Sequence, residues 1–226
     1  MTALPARDGY RLWAPSYEQE TAVSLLERDA VEALGVPVAG RRLLDVGCGT
    51  GRRLRETDGA ALRVGVDLTP EMLARDTSGL TLSAADARAL PFADASFDVV
   101  WCRLVLGHVG EVGAAYRELA RVCSAGGSVV VTDFCVEASA AGHRRTFRDA
   151  RGAVHELEHH TRSAEAHVAT ASHAGLALAA RRVGAVDERV EPLYAAAGRS
   201  AAYAEQRGLP LVLALAFRRT ADRAAA

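Results

Sequence analysis

Lysine, asparagine and isoleucine are absent from this 226-residue chain, so all 27 of its basic residues are arginine. Without lysine there is no Schiff-base nucleophile and no phosphate-loop lysine, and without asparagine no N-glycosylation acceptor. A basic excess is missing too. The 27 Lys+Arg stand against 28 Asp+Glu, a formal net charge of -1, which argues against a protein held mainly by phosphate contacts and so against nucleic acid as partner. Apolar runs such as residues 209–217 fall well short of the roughly 20 residues that cross a bilayer, so no membrane span is expected. The stretch MTALPARDGY introduces Arg7 and Asp8 before an apolar core could form, which predicts no secretory signal and a cytoplasmic protein. Four cysteines (Cys48, Cys102, Cys123, Cys135) show no CxxC spacing, and reduced, buried thiols are expected in place of a disulfide framework.

What the chain does have is a globular composition, 50% hydrophobic and 24% charged, at a length that suits one domain. Short β-rich runs alternate with segments of helical period, the pattern of an α/β, doubly wound sheet. Strands are predicted at residues 42–46, 62–67, 80–84, 97–102, 128–133, 176–182 and 211–217. Thr69-Pro70-Glu71 opens a helix predicted over 69–76, with a capping residue followed by Pro at the first helical position. Val112, Ala115, Leu119 and Val122 share one face of a helix over 111–122 that Gly126-Gly127 should stop before the next strand. Ser163 caps a helix running toward Ala174, with Gly175 ending it. Residues 17–34 place Val23, Leu26, Ala30 and Leu34 at helical spacing and read as a lid helix behind the aromatic cluster Tyr10, Trp13 and Tyr17. The organisation that follows is N-terminal lid helices over 1–40 and a single domain over 41–226. Within that domain an inserted flap, 135–160, carries four of the seven histidines (His143, His155, His159, His160).

The run Asp45-Val46-Gly47-Cys48-Gly49-Thr50-Gly51 sets glycines directly after an apolar strand, where the backbone must turn sharply and let a ligand come close. A dinucleotide and S-adenosylmethionine compete for such a loop, but the dinucleotide pattern needs a small residue where this chain has Arg52. Asp67, before Leu68 at the end of the second strand, is spaced to accept both hydroxyls of a ribose. Asp86, before Ala87 at the end of the third, could accept from an adenine amine.

With these residues in that order, the chain resembles the class I S-adenosylmethionine-dependent methyltransferases from about residue 10 to the last strand. The stretches Leu90-Pro91-Phe92, Ser96 to Val100 and Glu118 to Val122 are also family-like, and the likeness is greatest to the small-molecule branch that includes ubiquinone and menaquinone methyltransferases. The resemblance implies a Rossmann-like sheet of seven strands with the last antiparallel, and methyl transfer from S-adenosylmethionine to a small-molecule acceptor. It assigns the methionine part to the loop of Asp45, Gly47, Cys48 and Gly49, the ribose to Asp67 beside Leu68, and the adenine to Asp86 and Ala87. Tyr17 would close over the cofactor. After the fourth strand this chain departs from the branch, with Arg103 and a lone His108 where paired histidines are frequent. The Asn/Asp-Pro-Pro-Tyr signature of base methylation is missing.

His108 stands at the carboxyl end of the fourth strand and is the candidate general base. Tyr10, Trp13, Arg103, His155 and His159 are candidate acceptor contacts, and Arg144-Arg145 reads as a solvated pair. The string from His155 to His159 matches HExxH, but Gly152 and Ser163 favour a strand over 154–160, which would hold the two imidazoles about 13 Å apart. No metal is expected. The acceptor is expected to be a small, partly apolar metabolite methylated on O, N or C, by a monomer or homodimer. Two alternative functions keep the loop without methyl transfer, one a rearrangement or cyclisation on the same cofactor-binding fold, the other a binding module with a vestigial site.

Overall fold

The computed structural model describes residues 3–220. The chain opens with helix α1 (Ala6–Trp13), a 3-10 turn (Ala14–Ser16) and helix α2 (Ala22–Glu32). Alternation then begins: β1 (Arg42–Val46), α3 (Arg52–Arg55), β2 (Leu62–Asp67), α4 (Pro70–Leu73), β3 (Thr81–Ala84), β4 (Phe97–Arg103), α5 (Val112–Val122) and β5 (Cys123–Phe134). The flap follows as α6 (Val136–Ala140) and a hairpin of β6 (Thr146–Arg148) and β7 (Val154–Glu156). The chain closes with α7 (Ala164–His173), β8 (Leu176–Ala185), α8 (Glu191–Ala196), α9 (Ser200–Gln206) and β9 (Pro210–Arg219).

Seven strands form one sheet in the order β3-β2-β1-β4-β5-β9-β8, parallel from β3 to β5, with β9 antiparallel to both its neighbours. All seven predicted strands are there. Both faces are covered, so adjacent residues on a strand are equally dry: Leu43 and Val99 pack with Ala30 of α2 and Leu34 just beyond it, while Leu44 and Val100 pack with α5 residues Tyr116 and Leu119. The chain leaves β1 toward β2 and β3 on one side and returns to β4 on the other. The carboxyl ends of β1 and β4 therefore diverge, which opens a crevice at the position where such sheets bind ligands.

Several boundaries moved for identifiable reasons. The expected helix over 17–34 starts only at Ala22, because Thr21 is extended and forms a reciprocal cap with Ser24, each side chain accepting the other's backbone N–H. The resulting α2 lies against β8 and β9 as part of the sheet's cover, and α1 is the segment that reaches over the crevice. The helix after Thr69 ends at Leu73; beyond it Asp76 accepts from the backbone N–H of Ser78 and of Leu80, a local turn that competes with helix. Gly126 and Gly127 do not precede β5 but sit inside it, beside a register shift against β4. All four cysteines are free and buried. No helix among the described residues is long and apolar enough to cross a membrane.

Candidate functional site

The glycine loop is shaped by what passes beneath it. Gly47 has φ +77°, and a Cβ there would lie 2.2 Å from Cγ2 of Val105, on the segment leaving β4. Gly49, at φ +57°, lies beneath Tyr17, whose ring would be 3.5 Å from an added Cβ. Backbone N–H groups of Gly47 and Cys48 donate to the Val66 carbonyl, and Asp67 continues the tether. One of its carboxylate oxygens accepts from the Gly49 N–H and the other from the Thr69 N–H, both at 2.8 Å. Burial raises the Asp67 pKa, and these amide dipoles pull against that.

Asp45 differs from Asp67. It is 3% exposed, borders a void shared with Tyr17, Gly47 and Thr50, and its carboxylate has no hydrogen-bond partner among the described residues. Burial pushes its pKa up to about 7, with the Arg103 charge opposing. A buried carboxylate without a donor fits a site whose cation or donor arrives with the ligand. Leu68, Asp86 and Ala87 border the crevice beside Asp67. The Asp86 carboxylate is gripped by Arg88 through its backbone N–H and its guanidinium, so a ligand amine must share it. Cys48 is buried against Gly65, and burial pushes its thiol pKa far up, which suits packing and not nucleophilic work.

At the far wall, α1 brings Tyr10 to His108. The Tyr10 hydroxyl lies 3.0 Å from His108 Nε2, and His108 Nδ1 lies 2.8 Å from the Glu158 carbonyl on the flap. A carbonyl can only accept, so Nδ1 carries the proton and Nε2 presents a lone pair to the Tyr10 O–H. Burial, with the charge of Arg145 as the next cause, pulls the His108 pKa down to about 4. Tyr17 meets Tyr10 and Trp13 edge-on, and burial holds its phenol pKa well above the usual range.

Of the flap histidines, His159 reaches this wall and His155 does not. His159 meets His108 edge-on at 5.3 Å and binds Asp133, at the end of β5, at 3.1 Å. Asp133 also contacts His167, at 3.4 Å, and His167 receives or donates a hydrogen bond at Tyr116. Burial alone would raise the Asp133 pKa, but the two imidazoles hold it at about 2. His155 stacks on Phe147 and pairs with Asp149 out on the hairpin. The two histidines of the HExxH string thus serve separate carboxylates.

Two arginines depart from their sequence reading. Arg103 is not presented to an acceptor: its guanidinium binds both oxygens of the buried Glu27 on α2, at 2.7 and 2.6 Å, and lies over Trp101. Sequence reading missed Glu27 because its partner is 76 residues away and it sits on a helix expected to be a lid. Arg145 is not a solvated residue like its neighbour Arg144: it is half-buried, with its guanidinium over the rings of Trp13 and Phe134. No local pattern separates the two; only the hairpin's placement does.

A protein-family model described as "Methyltransferase domain" matches residues 44–131. Residues across 146 positions are 36% identical to a demethylmenaquinone methyltransferase of Roseiflexus sp. (strain RS-1), covering 58% of each chain. A malonyl-[acyl-carrier protein] O-methyltransferase of Erwinia billingiae is 34% identical over 121 residues, 52% of this chain and 48% of that protein. The chain spans about half the length of the curated relatives it matches. Among solved structures, an S-adenosylmethionine-dependent methyltransferase from Mesorhizobium loti aligns at TM-score 0.65 and 25% identity, over 88% of this chain and 100% of that one. The [4+2]-cyclase SpnF shares the fold at TM-score 0.69 and 23% identity, over 97% and 98%.

Proposed function

We propose, from the premise that this chain belongs to the class I S-adenosylmethionine-dependent methyltransferases, that it methylates an O, N or C atom of a small, partly apolar metabolite. The observation that carries this reading is the alignment along one sheet edge of Asp45, the Gly47–Gly49 loop, Asp67 and Asp86, with a buried Asp45 carboxylate that no donor among the described residues satisfies. When bound, S-adenosylmethionine supplies an activated sulfonium methyl.

The residues present fit that group. Asp45 would face its ammonium, the loop amides and Tyr17 its methionine part, Asp67 its ribose hydroxyls, and Asp86 and Ala87 its adenine. Each Asp67 oxygen accepts one amide bond and retains acceptor capacity for a hydroxyl. Orienting the acceptor in line with the methyl can itself lower the barrier by about 7 kcal/mol or more, so the chain's own chemistry is confined to one proton. Tyr10 and His108 would carry it: an acceptor hydroxyl passes its proton to the Tyr10 oxygen as the Tyr10 proton moves to His108 Nε2, a reading supported by their 3.0 Å contact.

Calorimetric titration with S-adenosylmethionine, S-adenosylhomocysteine and NAD tests the reading. Saturable binding of the two sulfur compounds and none of NAD is expected. Binding of NAD in their place removes the proposal, and turnover of an acceptor without accumulation of S-adenosylhomocysteine replaces methyl transfer by a rearrangement.

A further inference from the structure

We propose that Arg145 is the anion anchor of the acceptor cavity, and hence that the acceptor is an aromatic or partly apolar monocarboxylate. This rests on the methyltransferase reading of the neighbouring crevice. Its basis is a half-buried arginine whose Nε is buried without a partner, which borders open space and has no carboxylate within ion-pair distance among the described residues.

Other arginines in comparable surroundings have their partners. Arg103 takes both oxygens of Glu27, and Arg162 donates to the carbonyls of Leu106, His160, Val109 and Gly110. Among the described residues Arg145 has no carboxylate within ion-pair distance; its one hydrogen bond is a long 3.4 Å contact to the Tyr10 hydroxyl, and its Nε is buried with no partner. Stacking over Trp13 at 5.1 Å and Phe134 at 5.5 Å offsets part of the cost of desolvating the charge, yet leaves its in-plane donors unfilled. Guanidinium donors lie in a plane whose edge matches a carboxylate, so the group that would satisfy Arg145 approaches from the side and not over its face.

Space for such a group exists beside Arg145. Arg145 borders a cavity of about 510 Å³ shared with Phe134, His143 and His159, and another of about 300 Å³ with Trp13, Leu193 and Tyr194. The larger cavity is mainly polar, with Phe134 and Leu157 its apolar wall, and the smaller one adds the apolar surfaces of Trp13, Val23, Leu193 and Tyr194. Burial pulls the His143 pKa down to about 4, so His143 is neutral at pH 7. Arg144 borders both cavities and Arg199 the smaller one, but both are exposed, Arg144 facing Glu156 and Arg199 lying over Tyr194, which leaves Arg145 as the guanidinium there with a buried donor unfilled. Glu156 and Glu158 also border the larger cavity, Glu156 facing Arg144 at 3.8 Å, and their negative charge disfavours a phosphate dianion relative to a carboxylate. Through Tyr10, Arg145 also stands next to His108, so a ligand held at the guanidinium is held beside the proton acceptor.

The test uses two acids, 4-hydroxybenzoate and 4-hydroxycinnamate, each against its primary amide, titrated into the full chain saturated with S-adenosylhomocysteine. Charge-assisted pairing predicts that each acid binds about 10-fold or more tighter than its amide, and that Arg145→Met reduces this preference to about 3-fold or less. Arg145→Lys, which keeps the charge but loses the fork, should retain part of it. Binding of S-adenosylhomocysteine and of 5′-methylthioadenosine, which lacks the amino-acid part, reads the fold and the cofactor site separately in every variant. Equal binding of acid and amide, a preference that survives Arg145→Met, or no binding of either acid to a protein that binds S-adenosylhomocysteine overturns the proposal. So does a loss in Arg145→Met confined to S-adenosylhomocysteine and not shared by 5′-methylthioadenosine, because the carboxylate recognised is then the cofactor's own. Failure of the parent protein to bind either nucleoside removes the methyltransferase reading instead, and the acid-to-amide comparison without nucleoside still decides the anchor.

Discussion

Removing the Asp67 carboxylate should have two separable effects, because the side chain holds the site together and faces its ligand. Its two oxygens accept from the Gly49 and Thr69 amides at 2.8 Å each. In Asp67→Ala both amides lose a charged acceptor; orphaning a buried donor costs about 1–3 kcal/mol, and water in the crevice brings the pair toward the lower end, about 2 kcal/mol in total. For a chain of this size that lowers Tm by about 4–8 °C, well within the stability of a folded domain. Binding should fall much further. Two ribose hydroxyls hydrogen-bonded to a carboxylate contribute about 1.5–3 kcal/mol each, so S-adenosylhomocysteine affinity should drop about 10²- to 10⁴-fold. Asp67→Asn is no gentler, since its amide must turn an N–H toward one of two backbone donors. Calorimetry beside thermal melts separates the effects. A folded Asp67→Ala protein that binds S-adenosylhomocysteine as the parent does would refute the assignment of the ribose to this edge.

Three further outcomes follow from groups around the crevice. The Glu158 carbonyl fixes the His108 tautomer, so ¹⁵N spectra at pH 7 should show a protonated Nδ1 and a bare Nε2; the reverse pattern would remove the Tyr10 to His108 proton path. Arg103→Met leaves the buried Glu27 carboxylate with only the Thr132 hydroxyl and the more distant Arg53, and should cost about 3 kcal/mol in urea unfolding, much of it recovered in the double variant with Glu27→Leu, whereas purely additive losses would show that the pair is not coupled. His108 and His143 are both pulled from 6.5 to about 4, so between those values the unfolded chain binds more protons than the folded one. Their contribution is therefore present above pH 6.5 and lost as pH falls toward 4, by up to about 2 kcal/mol apiece at pH 5. Asp45, raised to about 7, works in the opposite direction over the same range, so His143→Gln should abolish or reverse most of the fall in Tm between pH 7 and 5; an unchanged fall assigns the acid sensitivity elsewhere.

What could be read from the sequence was whatever is encoded within one strand and the turn after it. The Gly47–Gly49 loop, Asp67 and Asp86 each sit at the carboxyl end of a predicted strand, and parallel pairing then brings those ends to one edge regardless of the loops between. Their spacing along the chain became adjacency in space because the βαβ connection leaves little freedom. The helix boundaries were lost to side chains that offer the backbone another partner, as at Thr21 with Ser24 and at Asp76 with Leu80, a competition that helical period alone does not register.

The acceptor side was illegible for a different reason. Its chemistry depends on which carboxylates the fold delivers to which arginines, and those partners are far apart in sequence: Glu27 goes to Arg103, and none of the described carboxylates to Arg145. With 27 arginines and no lysine, composition presents the paired and the unpaired guanidinium identically, and even Arg144 and Arg145 look alike until the hairpin turns one toward Glu156 and the other over Trp13. Desolvation is what distinguishes them. A guanidinium that stays in water needs no partner, whereas one packed on two aromatic rings has lost part of its hydration and gains more from a ligand that restores a hydrogen-bonding edge. On the proposed reading the acceptor is selected by the carboxylate that the chain withholds from Arg145, a property of the tertiary structure with no local signature.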